Sequence, residues 1–81
     1  MGGGSVIVLR KRSFSLAGHR TSVALEDEFW AVLTSVAGGR GMTLGGLVAV
    51  VDAGREPGRN LASALRVLAL AEVAVKKPAF G

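Results

Sequence analysis

Between Arg20 and Trp30 a short alternating segment runs straight into a helix, and beyond it Arg40-Gly41-Met42-Thr43-Leu44 ends that helix and opens another. The alternation is clean. Thr21, Val23 and Leu25 fall on one face of an extended strand, and Arg20, Ser22 and Ala24 fall on the other. The first face should be buried and the second should look outward. No other segment offers this strand an evident partner, and a lone strand leaves a row of backbone groups unpaired. The simplest remedy is the same strand from a second copy, antiparallel about a two-fold axis. The expectation is therefore a mainly α protein with one short strand per subunit, built as an intertwined homodimer.

Size supports a partner. Eighty-one residues make one domain at most, and a chain this short buries a modest share of its surface. Hydrophobic residues are 49% of the chain, too many for disorder over its middle and C-terminal half. There is no cysteine, which excludes disulfides and thiolate metal sites and fits a reducing cytoplasm. No run reaches the ~20 apolar residues that span a bilayer, so no membrane association is expected.

The pattern divides the chain as follows. Residues 1–10 read as a flexible leader, 11–75 as the domain and 76–81 as a tail. Residues 6–18 are ambiguous: Phe14 and Leu16 would share a face, and Gly18 breaks the run, which leaves an extra edge strand or an arm that orders on binding. The strand is expected over 20–25. Glu26-Asp27-Glu28 opens a helix over 26–38, its acids suiting the positive end of the helix dipole. The glycines from Gly38 to Gly41 end it with a left-handed cap. Thr43 caps a second helix over 43–53, with Leu44, Leu47, Val48 and Val51 as its stripe. Asn60 caps a third over 60–75, stopped by Pro78 and apolar enough to be buried between subunits. Val23, Leu25, Trp30, Leu33, Leu47 and Val51 are expected in the dimer core.

The net charge is +4, and its placement matters more than its sum. Arg10, Lys11, Arg12 and Arg20 lie in the first twenty residues with no acid among them. A basic arm and strand point to an anionic partner. A two-stranded ribbon fits the major groove of double-stranded DNA.

In this order the motifs resemble the ribbon-helix-helix superfamily of bacterial repressors, the Arc and MetJ type. The closer likeness is to a small bacterial subgroup. It rests on Lys11-Arg12-Ser13, Gly18-His19-Arg20-Thr21-Ser22, Leu25-Glu26-Asp27-Glu28-Phe29-Trp30, Arg40-Gly41-Met42-Thr43-Leu44 and Asn60-Leu61-Ala62-Ser63-Ala64-Leu65-Arg66-Val67. The resemblance implies a dimer whose ribbon takes one strand from each subunit. It implies base contacts by the outward residues Arg20, Ser22 and Ala24, although Ala24 stands where a long polar reader is usual. It also implies that the backbone amides of Thr43, Leu44 and Gly45 hold a DNA phosphate.

On chemical grounds Arg20 is suited to a guanine edge and Ser22 to weak discrimination; Ala24 can touch a thymine methyl. Lys11, Arg12 and Arg40 are candidates for phosphate contacts. Gly45 and Gly46 weaken a helix start by around 1 kcal/mol each relative to alanine, which close approach of a phosphate or of another helix would explain. His19 is the only histidine, so neither a metal site nor a catalytic triad is expected. No cofactor and no enzymatic activity is expected. The function expected is a sequence-specific DNA-binding protein acting as a transcriptional repressor in the cytoplasm, with dimers assembling further on DNA. The alternative is a protein-interaction module or antitoxin that holds another protein through the third helix.

Overall fold

The structure is a computed structural model that describes residues 8–76. Two strands, β1 (Leu9–Leu16) and β2 (His19–Glu26), are followed by three helices, α1 (Asp27–Gly39), α2 (Leu44–Gly54) and α3 (Leu61–Lys76). Residues 1–7 of the expected leader and 77–81 of the expected tail, Pro78 included, lie outside the described residues.

The strand has a partner within its own chain. β2 is zipped antiparallel to β1 of its own chain, from Leu16 opposite His19 to Leu9 opposite Glu26. The expectation of one strand per subunit is corrected to two, and Leu9 and Arg10 belong to β1 rather than to a leader. A two-residue turn, Ala17-Gly18, makes the hairpin, with φ of 50° and 82°. Positive φ at both central residues is the type I′ geometry whose twist suits a tight hairpin. Asn-Gly or Asp-Gly normally signals it. Alanine in the left-handed region is uncommon, which is why the turn does not stand out in the sequence.

The period of two does the rest. Leu16, Phe14, Val23 and Leu25 face inward, and Leu16, Val23 and Leu25 are buried. They meet Trp30, Leu33, Val36 and Ala37 of α1, Leu47 and Val48 of α2, and Leu61, Leu65 and Ala69 of α3. Val23, Leu25, Trp30, Leu33 and Leu47 are thus buried within one chain, with Val51 half-buried against them. A second copy is not needed to cover these expected dimer-core residues. α3 likewise buries its Leu61, Leu65 and Ala69 stripe on its own chain rather than between subunits, while Val67 and Leu70 stay 51% and 61% exposed.

Each helix end has a local cause. α1 closes with a Schellman motif: the Met42 N–H donates to Ala37 O at 2.8 Å and the Gly41 N–H to Gly38 O at 3.1 Å. Gly41 sits at φ 70°, the left-handed conformation glycine adopts without a Cβ penalty. Thr43 Oγ1 accepts from the Gly46 N–H at 3.0 Å, and Asn60 Oδ1 from the Ser63 N–H at 2.7 Å. Both are the N-caps read from the sequence.

Candidate nucleic-acid interface

Because inward and outward residues alternate, the hairpin turns a second face to solvent. Lys11, Ser13 and Ser15 of β1 lie opposite Ala24, Ser22 and Arg20 of β2. All but the half-buried Ala24 are exposed. Between these six positions the face carries two cations, three hydroxyls and no acid. The Ser13 and Ser22 hydroxyls stand 3.2 Å apart across the strands. The expected base-reading residues Arg20, Ser22 and Ala24 therefore share one surface, joined there by Lys11.

Arg12 is not on that surface. It pairs in register with Val23 on the inward face, and its guanidinium lies 5.3 Å from the centre of the Trp30 ring. A cation over an indole at this distance is held by the ring's electron-rich face. Lys11 and Arg12, adjacent in sequence, are thus sent to opposite sides of the hairpin. Arg40 sits at the other end of α1, where its Nη2 donates to Glu72 Oε2 of α3 at 3.1 Å. The amides of Leu44 and Gly45 belong to the first turn of α2, whose N–H groups have no intrahelical acceptor. Gly45 itself lies against the inward face: a Cβ there would meet Phe14 Cδ1 at 3.8 Å. A Cβ on Gly46 would come within 3.2 Å of Thr43 Oγ1, crowding the cap. Within the chain the cap therefore accounts for Gly46, while a side chain at Gly45 would make only ordinary contact with Phe14.

Several anchoring residues did not stand out in the sequence. Arg10 Nε donates to Asp27 Oδ1 at 2.7 Å, and the Trp30 indole N–H donates to the Arg10 carbonyl at 2.8 Å. Together they pin the far end of β1 to the start of α1. Arg66 of α3 donates to Glu26 Oε1 at 3.1–3.2 Å, tying the end of β2 to α3. The Asp27 carboxyl is held below its ordinary range chiefly by the hydrogen bond from Arg10. Glu26 is lowered chiefly by a backbone N–H, its own, with Arg66 adding to it against partial desolvation. These acids are therefore engaged near the hairpin's base. A period-two reading extended back through Arg10 and Arg12 would have placed β1; the run of three cations instead gave it the look of a solvated arm.

The outer edge of β2 borders a groove of about 490 Å³, lined by Thr21, Ser22, Val23 and Ala24 on one side and by Asn60, Leu61, Ala62, Ser63 and Arg66 on the other. In a hairpin closed at Leu16 and His19, the pairs bonded to β1 are 14–21, 12–23 and 10–25. The backbone groups of Arg20, Ser22 and Ala24 then point away from β1, those of Ser22 and Ala24 on the side of this groove.

Among the described residues no cluster of His, Cys, Asp or Glu is arranged to hold a metal, and no helix is long and apolar enough to cross a membrane. No match to the chain was found among curated proteins or among solved structures. The family model of the ribbon-helix-helix domain matches residues 9–73. That domain is a DNA-binding, transcription-regulating module that generally acts as a dimer, and it is not an enzyme family. The match takes in both strands, the first two helices and most of the third, and the chain belongs to the ribbon-helix-helix domain family.

Proposed function

We propose that the protein is a homodimeric, sequence-specific DNA-binding protein that represses transcription, and that the outward face of its hairpin reads the major groove. The observation that carries this is the gathering of Arg20, Ser22, Ala24 and Lys11 on one outward surface of a ribbon-helix-helix chain, where the acid at the far end of the face, Glu26, is paired with Arg66. Two copies join through the free edges of β2. That edge carries small, neutral Ser22 and Ala24 with one arginine, Arg20, whereas β1 carries Arg10, Lys11 and Arg12 in a row, and a row of like charges repels a second copy. A groove runs along this edge of β2. The central pair of the resulting sheet is then a two-stranded ribbon of the kind that enters the major groove.

Arg20 bonds bidentately to a guanine edge, giving about 1–3 kcal/mol of discrimination. Ser22 discriminates weakly and Ala24 contacts a thymine methyl. The Thr43, Leu44 and Gly45 amides at the start of α2 supply a phosphate site, helped by the helix dipole. Arg12 and Arg40 reach phosphates only by leaving Trp30 and Glu72. A random-oligonucleotide selection, followed by gel shifts at fixed salt, tests the reading. Arg20→Ala weakens binding to the selected site and relaxes its sequence preference. Unchanged affinity and preference would remove Arg20 from base reading, and the absence of any DNA binding would overturn the function.

A second reading rests on α3. The exposed Val67 and Leu70 give the free chain an apolar strip, such as an antitoxin or assembly scaffold uses to hold another protein. A dimer that binds no DNA but loses an assembly on Leu70→Glu would support it.

A further inference from the structure

Resting on the DNA-binding reading above, we infer that β1 is a phosphate rail: its outward residues Lys11, Ser13 and Ser15 follow the DNA backbone on either side of the groove that β2 reads. The ribbon of a simple two-stranded reader has no such flank. Here each copy carries its own second strand, so pairing through β2 gives the order β1-β2-β2-β1. Strands lie about 4.8 Å apart, so three spacings set the two β1 strands roughly 14 Å from one another. The major groove is about 12 Å wide. The inner pair of strands therefore fits between the groove walls, and the outer pair lies over the walls themselves, where the phosphates are.

The side chains on β1 match that position. On the outward face, β1 presents a lysine and two serines and no acid. Lysine and serine are both common phosphate contacts, and over the groove walls they have no base edge within reach. β2, one strand further in, presents the arginine and serine that can address base edges. The Ser13 hydroxyl already lies 3.2 Å from that of Ser22, so the rail and the reading strand meet on one continuous polar surface. Neither Lys11 nor Ser15 is tied to another side chain by a hydrogen bond or salt bridge among the described residues. The acids nearest the hairpin's base are engaged by Arg10 and Arg66.

The test uses the whole chain, the oligonucleotide chosen by selection and a scrambled duplex, with affinity measured across a salt series. Lys11→Ala should weaken binding to both duplexes by the same factor. It should flatten the plot of log affinity against log salt by about 0.9 for each subunit, and leave the preferred sequence unchanged. Ser13→Lys should do the reverse, tightening both complexes and steepening the slope. Because it adds affinity, this second variant cannot be mistaken for a folding defect. If both variants keep the wild-type affinity and slope while Arg20→Ala still relaxes preference, β1 lies off the DNA and the rail is refuted, with the reading face intact. If the wild-type chain binds neither duplex, the rail falls together with the function on which it rests.

Discussion

The two faces of the hairpin come from the same sixteen strand residues and share every backbone bond, yet they are opposite in character. The inward face holds Leu16, Val23 and Leu25, all buried, and fixes how the helices close beneath it. The outward face holds Lys11, Ser13, Ser15, Arg20 and Ser22, all exposed, and contributes nothing to that core. The hydrophobic face therefore specifies the fold and leaves the polar face free to be shaped by a ligand. A one-residue slip in register would exchange the two faces completely, so the turn that sets register matters to both.

The largest effect should come from the inward face. Leu25 is fully buried, and Leu25→Ala should destabilise the fold by about 2–5 kcal/mol. Ser22→Ala, on the other face, should stay within about 0.5 kcal/mol. Urea unfolding of both variants measures the contrast; comparable losses would mean that the outward face is part of a packed interface. Next comes the turn. Gly18 has φ 82° and open space around a would-be Cβ, so Gly18→Ala meets no neighbour and pays only the left-handed backbone penalty, about 1–2 kcal/mol. A negligible loss would show that the hairpin's register is held by its core residues alone.

The smallest effect is the response to acid. Asp27 and Glu26 are depressed in the folded state, so their contribution is complete above the ordinary carboxylate range and is lost as pH falls through the lowered values. The urea midpoint should decline there, and Asp27→Asn should shallow the decline. Both Arg10 and Asp27 are well exposed, so the change should be small. Parallel curves for the two proteins would place the acid sensitivity elsewhere.

Much of this arrangement was legible in the chain. The helices and their caps at Thr43 and Asn60, the glycine stop after α1 and the split of Thr21, Val23 and Leu25 from Arg20, Ser22 and Ala24 follow from periodicity and cap chemistry. β1 was not, because two local signals opposed it. Its inward apolar positions are only Phe14 and Leu16, with arginines at the two preceding inward positions, and its turn uses alanine where asparagine or aspartate would be expected. Those arginines are accommodated because each finds a partner on α1: Arg10 reaches Asp27, and Arg12 lies over Trp30. Pairings over this separation have no signature in a local pattern. Without β1, the intrachain partner of β2 is missing, and with it the cover that one chain gives Val23, Leu25, Trp30, Leu33 and Leu47. On the site, strand alternation sufficed to place Arg20, Ser22 and Ala24 together, but it could not separate Lys11 from Arg12 until β1 was known.

Trp30 is the only tryptophan, and the chain has no tyrosine. Its indole N–H is held by the Arg10 carbonyl, its ring is covered by the Arg12 guanidinium, and Phe14 lies 5.9 Å away. Every one of those neighbours is on β1. The protein thus carries a single built-in fluorophore on the seam between its first strand and its first helix. Peeling that strand away would wet the indole and redden its emission, so light alone would report the state of the hairpin, with no label attached.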